Sequence, residues 1–346
     1  MLLSAPVRRL LTMPRPILRE LETFGPDRCD PLSVDEARAY TRDITRANRE
    51  NFSVASRLLP RDLREDFHAV YAFCRWADDL GDAPGIAEDP ERALDLLGWW
   101  REELAACFAG RPRHPVFVAL APTIDKHDLP QRPFADLIDA FVQDQTVNRY
   151  ESWTQLLDYC TRSANPVGRL VLMMYGQRDE PSFELSDATC TALQLTNFWQ
   201  DVRRDILNRN RVYLPADIAA AHGLDLEAMV RLTRLDEAVR CRSCAPGTVQ
   251  AQTESGLGEL MPAYRATLHA VVQKTWPMFA EGRELWPRVD RRFRGDLKLF
   301  TLGGEAVLRK IERQRYDTWT RRPVVGKLTK ARLLLRVAAG RVGVGG

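Results

Sequence analysis

The chain has 346 residues, of which 45% are hydrophobic and 28% are charged, and its formal net charge is +3. This composition excludes a disordered chain, and the near balance of 50 basic and 47 acidic residues argues against a general nucleic-acid binder. No uninterrupted apolar run reaches the ~18–20 residues that a membrane-spanning helix needs. Seven scattered cysteines indicate reduced thiols, with Cys241 and Cys244 as a lone pair in a loop, so we expect a cytoplasmic protein.

The N-terminal part predicts a lead-in followed by helices. Residues 1–32 contain five prolines and are expected to be irregular. Ser33 and Glu36 match a capping box, which predicts that the first helix opens there and runs through residues 37–51. Pro60 interrupts this pattern, and Asp62 restarts a helix that continues to residue 82.

An acidic stripe marks the end of that second helix. Tyr71, Arg75, Asp78 and Asp82 are spaced i, i+4, i+7 and i+11, which places them on one helix face, while Asp79 lies beside this face. The other positions are mainly apolar, so the stripe must face water, a cation or a polar cavity. A solvated surface patch is the alternative interpretation.

The middle of the chain also reads as helical. Helical patterns cover residues 89–109, 116–128, 134–149, 152–175, 186–208, 258–280 and 291–316. Trp99 and Trp100 are expected to pack between helices, and Pro166 with Gly168 predicts a kink or break. Residues 241–256 have the most loop-like interior composition. No convincing strand pattern occurs, so the predicted fold class is all-α.

A second acidic stripe follows on the segment 186–208. Gln194, Asn197, Asp201 and Asp205 are spaced i, i+3, i+7 and i+11. If the two stripes face each other across a cavity, four or five carboxylates converge, and they stay ionised only with cations present. Oxygen ligands without His or Cys favour Mg²⁺, in a number that the sequence leaves open. Such ions would hold a diphosphate leaving group, with Arg75, Arg204 and Arg211 assisting.

One rival metal site is weighed against this interpretation. Glu65 and His68 form a Glu-x-x-His unit, which ferritin-like di-iron bundles use twice. The chain contains no evident second copy, so the di-iron interpretation is weak.

Between residues 48 and 316 the chain resembles the squalene/phytoene synthase family, and the two acidic stripes together with Arg211, Val212, Tyr213, Leu214 and Pro215 carry the resemblance. It implies the isoprenoid-synthase fold, one large helical domain with a central cavity between two Asp-rich helices. By position, it implies metal ligands at Asp78, Asp79, Asp82, Asp201 and Asp205. The implied catalytic residues are Tyr71, Arg75, Tyr159, Gln194 and Asn197, and the implied substrate-binding residues are Phe52, Arg57, Arg75, Asn165, Arg204 and Arg211.

Within the family, residues 51–56, 163–169 and 197–201 look most like bacterial hydroxysqualene synthases. This subgroup converts presqualene diphosphate and water to hydroxysqualene and diphosphate, with Mg²⁺ and without NADPH. The resemblance implies prenyl diphosphates as ligands, and a presqualene diphosphate synthase and a hydroxysqualene reductase as pathway partners. Gln200, where condensing members carry Arg, and Asn165 are departures whose polarity we interpret as favouring water capture. A condensing presqualene diphosphate or phytoene synthase, or a non-catalytic isoprenoid-binding member, are the alternatives.

The C-terminal tail differs from the predicted domain of residues 33–320. Residues 321–346 interleave seven basic residues with leucine and valine and contain no acid. A basic amphipathic segment can lie on an anionic membrane surface, so we expect peripheral membrane contact, with a solvated terminus as the equal alternative.

Overall fold

The computed structural model describes residues 17–47, 60–240 and 247–342, and these form α-helices joined by short connections. Within the described residues no β-strand is present, and the two β-bridges, Phe24 with Cys29 and Arg149 with Val212, are isolated. The all-α prediction is therefore confirmed.

We number the helices in chain order. They are α1 (Ile17–Phe24), α2 (Val34–Ala47), α3 (Arg64–Asp82), α4 (Pro90–Phe108), α5 (Pro115–His127), α6 (Gln131–Gln143), α7 (Trp153–Ser163), α8 (Asn165–Met174), α9 (Glu180–Arg209), α10 (Ala216–Ala221), α11 (Leu226–Arg240), α12 (Gly247–Gly282), α13 (Arg291–Arg313) and α14 (Lys327–Val342). Single 3₁₀ turns, Arg61–Leu63 and Arg283–Leu285, precede α3 and follow α12.

The chain divides into two compact units. Unit 1 comprises Met1–Thr146, Pro166–Phe183 and Val289–Asp296, and unit 2 comprises Val147–Asn165, Glu184–Arg288 and Leu297–Gly346. The first acidic stripe, on α3, belongs to unit 1, and the second, on α9, belongs to unit 2.

The core of unit 1 is an aromatic cluster beneath α3. Trp76 stacks on Trp100 with 5.4 Å between the ring centroids, and its indole N–H donates to the Tyr40 hydroxyl at 3.1 Å. The His114 ring meets Trp76 edge-on at 4.4 Å. Trp99 and Trp100 are both buried, which confirms their predicted role in packing. Because aromatic side chains bury much apolar area, this cluster fixes the helix that carries the first stripe.

The core of unit 2 is tied together by buried indole–hydroxyl hydrogen bonds. Trp199 of α9 donates to Thr275 of α12 at 3.0 Å, and Trp319, which follows α13, donates to Thr233 of α11 at 2.7 Å. A buried indole N–H that found no acceptor would be costly, so these bonds fix both the helix α9 and the chain after α13. Helices α11 and α12 pack closely at Gly256, where an added Cβ would lie 2.8 Å from Leu232.

Two local predictions are confirmed. Ser33 and Glu36 form the expected capping box, with the Ser33 amide donating to the Glu36 carboxylate at 2.9 Å and α2 beginning at Val34. The helical pattern of residues 152–175 breaks at Ala164, between α7 and α8. Pro166 is the second residue of α8, where its missing N–H removes no helical hydrogen bond.

Two others are wrong. Residues 17–24, inside the predicted irregular lead-in, form α1, because Ile17 is buried and Glu20 accepts a hydrogen bond from Tyr40 at 2.8 Å. Residues 247–256, predicted to be part of a loop, are the first turns of α12. Packing against α11 outweighs the weak helix propensity of this Thr- and Gly-containing stretch. The domain boundaries at residues 32 and 320 stay predictions.

Candidate active site

The first stripe lies on α3 with the expected register. Tyr71, Arg75, Asp78 and Asp82 are all half-buried. The intervening residues Phe73, Trp76, Ala77 and Leu80 are buried in the core of unit 1. This alternation follows from helical periodicity: one face packs, and the other carries the polar groups. Burial also raises the pKa of the Tyr71 hydroxyl.

Arg75 forms ion pairs within the same helix with Asp78 of this stripe and with Asp79 beside it. Its Nε donates to Asp79 at 2.9 Å, a second bond joins Nη2 to the other Asp79 oxygen, and Nη1 lies 3.3 Å from Asp78. Burial still raises the pKa of Asp79, although Arg75 opposes this shift. Asp79 is thus held by the guanidinium, and Asp78 is contacted by only one of its nitrogens.

The C-terminal end of α3 is closely packed. Gly81 is buried, and a Cβ added there would lie 2.9 Å from Nε2 of Gln145, which itself donates to the Phe141 carbonyl at 3.0 Å. The helix ends at Asp82, and the Ala83 amide donates to the Asp79 carbonyl. Asp82 is therefore positioned at a fixed helix end.

The residues of the second stripe on α9 differ in exposure. Asn197 is exposed, Gln194 and Asp201 are half-buried, and Asp205 is only 8% exposed. The apolar residues of the opposite face are all buried: Leu195, Phe198, Val202 and Ile206. The register expected from the sequence is therefore present in both stripes.

Asp205 has an unusual electrostatic position. Burial raises its pKa to about 7, the neighbouring charge of Asp201 adds to the shift, and Arg209, Arg211 and Arg204 oppose it. The Nη1 of Arg209 lies 3.9 Å from an Asp205 oxygen. A buried carboxyl group with a raised pKa favours either a proton or a bound cation.

Asp201 is paired with a residue far along the chain. Arg322 donates from Nε and Nη2 to the two Asp201 oxygens, and the Nη2 bond measures 3.1 Å. Next to it, the Gln200 amide donates to the Pro323 carbonyl at 2.5 Å. Sequence reasoning missed this contact, because nothing local indicates a pairing over 121 residues.

An aromatic cluster surrounds the predicted site residue Tyr159. Phe198 of α9 stacks on Tyr213 with 3.7 Å between centroids, and Tyr159 lies 6.1 Å from Tyr213. Tyr150 completes the cluster at 5.5 Å from Tyr159. Sequence reasoning missed Tyr150, and it used Tyr213 only as part of the motif that follows the second stripe. The sequence contained a signal for Tyr213, because this residue directly follows Arg211 and Val212 of that motif.

The remaining predicted site residues have varied surroundings. Asn165 is buried and accepts a hydrogen bond from the Thr191 hydroxyl at 2.9 Å. Arg211 is buried, and its amide donates to the Asp205 carbonyl at 3.1 Å. Arg204 is exposed. Phe52 and Arg57 lie outside the described residues.

The donor chemistry of both stripes fits a hard divalent cation, because every candidate ligand is a carboxylate. Among the described residues, no three His, Cys, Asp or Glu side chains form a preassembled metal-binding group. Instead, guanidinium groups lie against the carboxylates: Arg75 on α3 and Arg322 beside α9. In the rival di-iron motif, Glu65 is engaged by Arg42 at 2.8 Å.

A comparison with known protein families identifies the family to which this chain belongs. A family model described as squalene/phytoene synthase matches residues 45–329, which is most of the chain. The chain therefore belongs to the squalene/phytoene synthase family, which is a family of enzymes that process prenyl diphosphates.

The similar proteins include both hydroxysqualene synthases and phytoene synthases. A hydroxysqualene synthase of Sinorhizobium fredii is 39% identical over 181 residues, which cover 52% of this chain and 60% of that relative. A phytoene synthase of Arthrospira platensis is 29% identical over 85% of this chain and 90% of its own length. Among solved structures, the squalene synthase HpnC from Alicyclobacillus acidocaldarius matches with a TM-score of 0.68 and 39% identity, covering 82% of this chain and 95% of the other. That likeness agrees with the predicted isoprenoid-synthase fold.

Residues 17–47, 60–240 and 247–342 include no helix that is both long and apolar enough to cross a bilayer. The tail residues 327–342 form α14, on which Leu328 and Leu335 are exposed and Val337 is buried. Membrane contact through this helix stays a prediction.

Proposed function

We propose that the chain is a hydroxysqualene synthase, which converts presqualene diphosphate and water to hydroxysqualene and diphosphate. The observation that carries the proposal is the pair of aspartate stripes, each in helical register, in a chain of this family. The Sinorhizobium relative, a hydroxysqualene synthase that is 39% identical, supports this particular reaction.

In the proposed reaction, Asp78 and Asp82 on α3, and Asp201 and Asp205 on α9, would bind Mg²⁺, with Asp79, which lies beside the first stripe, as a further ligand. Bound Mg²⁺ would neutralise the charge that develops on the leaving diphosphate. Arg75, Arg204 and Arg211, with Phe52, Arg57 and Asn165, are the proposed substrate-binding residues. Their guanidinium groups suit diphosphate oxygens, because the planar fork donates two parallel hydrogen bonds.

The remaining steps of the proposed reaction are the formation, rearrangement and capture of a carbocation. The carbon–oxygen bond to diphosphate breaks and diphosphate leaves with the electron pair. The cation rearranges, a water oxygen bonds to it, and that oxygen then loses a proton. Tyr159 and its aromatic neighbours offer π faces, which stabilise a cation electrostatically. Tyr71, Gln194 and Asn197 are the proposed polar groups beside the reacting carbons.

Polarity near the second stripe is part of the proposal. Gln200 and Asn165 are the two departures from the condensing members of the family, and we propose that they favour water capture. Both amides have protein partners, Pro323 and Thr191. If Gln200→Arg combined with Asn165→Gly leaves the yield of hydroxysqualene unchanged, this part of the proposal is wrong.

The second candidate is a condensing enzyme, a presqualene diphosphate or phytoene synthase. It is favoured by the phytoene synthase relative, whose match covers more of this chain than that of the Sinorhizobium relative. A condensing enzyme consumes two prenyl diphosphates, whereas the proposed enzyme consumes one molecule of presqualene diphosphate.

One experiment separates the candidates. The purified full-length chain is incubated with Mg²⁺ and either farnesyl diphosphate or presqualene diphosphate, with and without NADPH. We expect hydroxysqualene from presqualene diphosphate alone, no dependence on NADPH, and loss of activity when EDTA removes the metal. Conversion of farnesyl diphosphate to a cyclopropyl diphosphate, without turnover of presqualene diphosphate, would establish the condensing alternative instead.

A further inference from the structure

The contact between Arg322 and Asp201 places a fixed positive charge on a proposed metal ligand. Arg322 reaches both carboxylate oxygens, and its side chain is 45% exposed while that of Asp201 is 20% exposed. The same guanidinium also interacts electrostatically with Asp205. A two-point contact of this kind is directional and stronger than a single surface ion pair.

The chain on both sides of Arg322 is anchored in unit 2. Before it, Trp319 is fully buried and bonded to Thr233, and the Thr318 hydroxyl lies 2.6 Å from the Tyr264 hydroxyl. After it, Pro323 is buried and its carbonyl accepts from Gln200. The backbone before Arg322 is therefore anchored at Trp319, and the contacts of Gln200 and Asp201 hold the following stretch beside α9.

We propose that Arg322 is the internal counter-ion of Asp201 in the metal-free protein, and that a divalent cation binds at Asp201 by displacing it. The inference rests on the proposed function in one respect, the assignment of Asp201 as a metal ligand. A divalent cation needs a carboxylate oxygen at about 2.0–2.1 Å, and it repels a guanidinium that occupies the same two oxygens. The two positive groups therefore compete for Asp201.

Displacement of Arg322 has a consequence for the segment that leads to α14. Once the guanidinium leaves Asp201, Pro323 is held only by its packing and by the Gln200 amide. Residues 320–326 then exchange their amide hydrogens faster, whereas Trp319 stays anchored. Because Arg322 and the cation compete for Asp201, removal of Arg322 must, by reciprocal linkage, make the cation bind more tightly.

The first test measures metal affinity directly. Mn²⁺, a divalent probe that accepts oxygen ligands, is titrated into the full chain and free Mn²⁺ is read by electron paramagnetic resonance, with and without inorganic diphosphate. We expect Arg322→Ala to bind Mn²⁺ about threefold to tenfold more tightly than the unaltered chain, the range expected for loss of a partly exposed charged contact. Arg321→Ala removes the same charge from the adjacent exposed residue and is expected to change the affinity by less than about twofold.

The second test reads the segment itself by hydrogen exchange with mass spectrometry. In the unaltered chain, Mn²⁺ should speed exchange across residues 320–326 and leave the α11 peptide containing Thr233 unchanged. In Arg322→Ala the fast exchange should be present without metal, and Mn²⁺ should add nothing. Arg322→Gln keeps most of the side-chain length and should behave like Arg322→Ala, because it lacks the charge.

The outcomes separate this inference from the proposed function. If the unaltered chain binds Mn²⁺ and Asp201→Asn weakens that binding, while Arg322→Ala changes neither affinity nor exchange, then Arg322 merely fastens the segment and the inference is wrong. If neither the unaltered chain nor Arg322→Ala binds Mn²⁺, with or without diphosphate, both proposals fail. If Arg322→Ala binds Mn²⁺ tightly and the unaltered chain does not, this would be the strongest support for competition between Arg322 and the cation.

Discussion

The two acidic stripes have the same Asp spacing, but their positive partners come from different places. On α3 the partner is Arg75, three and four residues before the aspartates it contacts. On α9 the partner of Asp201 is Arg322, 121 residues away. A local partner moves with its own helix, whereas a distant partner depends on the packing of another segment. Two motifs with the same Asp spacing can therefore have counter-ions that depend on different parts of the fold.

The largest losses of activity are expected when one proposed ligand is removed from each stripe. We expect Asp78→Asn and Asp205→Asn each to lower kcat/KM by about 10³-fold, because each removes a carboxylate that would hold the proposed charge-neutralising metal. Asp79→Asn should cost only about tenfold, since its carboxylate is bound by Arg75. Diphosphate release from presqualene diphosphate measures all three.

Asp128→Asn is the matched control, because that side chain is 99% exposed, and its activity should stay within about twofold. Equal and small effects of all the substitutions would contradict the assignment of both stripes.

The local partner gives the next largest effect. Arg75→Ala leaves Asp78 and Asp79 without their guanidinium and should lower kcat/KM by about 10²-fold. Arg75→Lys keeps the charge but loses the two-point geometry, so it should recover only part of this loss. Arg101→Ala, which breaks an exposed pair with Asp139, is the control and should be nearly neutral. Full activity in Arg75→Lys would show that charge alone is needed.

Two glycines test how tightly the helices near each stripe are packed. An added Cβ at Gly304 of α13 would lie 2.6 Å from the Phe279 ring and 2.7 Å from Leu193, the residue before Gln194. At Gly81 the near atom is the flexible end of Gln145. We therefore expect Gly304→Ala to lower the free energy of unfolding by about 1–3 kcal/mol, and Gly81→Ala to change it by less than about 1 kcal/mol.

Urea denaturation of the two variants gives these free energies. If Gly81→Ala lowers the free energy of unfolding more than Gly304→Ala does, then the end of α3 is packed more rigidly than α9.

Much of the fold and the register of both stripes could be predicted, because they depend on spacing within a single helix. The Ser33 capping box and the break near Pro166 are of this kind. The pairing of Arg322 with Asp201 could not be predicted, since it depends on how the buried Trp319 fixes a distant segment. The helix α1 was missed for a related reason: proline composition outweighed a tertiary contact between Glu20 and Tyr40.

The smallest expected effect concerns the core beneath the first stripe. His114 is fully buried among the aromatic rings of unit 1, and its Nδ1 accepts from the Val116 amide at 3.2 Å. Its Nε2 has no hydrogen-bond partner among the residues that the structure describes. Burial holds the pKa of His114 well below its usual value. The buried acid Glu103 accepts from the His114 backbone amide and pairs with Arg113.

The sign of the pH effect follows from this shift. The unfolded chain protonates His114 near pH 6.5 and the folded chain does not, so the unfolded state binds more protons as the pH falls. Protonation of His114 in the unfolded chain should therefore contribute a drop in the free energy of unfolding of on the order of 1 kcal/mol between about pH 7.5 and about pH 5.5, while Asp205, whose pKa is raised to about 7, contributes in the opposite direction. His114→Asn, which keeps a helix-capping acceptor but does not titrate, should lose the His114 contribution, so its stability relative to the original chain should rise as the pH falls.

The exposed His222→Asn is the matched control and should keep the original slope. Hydrogen exchange then assigns the effect to one region: acid should increase the exchange of α3 more than that of α9 in the original chain, and this difference should disappear in His114→Asn. If α9 responds equally to acid, the pH sensitivity does not arise from the His114 core, and the two stripes are not distinguished by it.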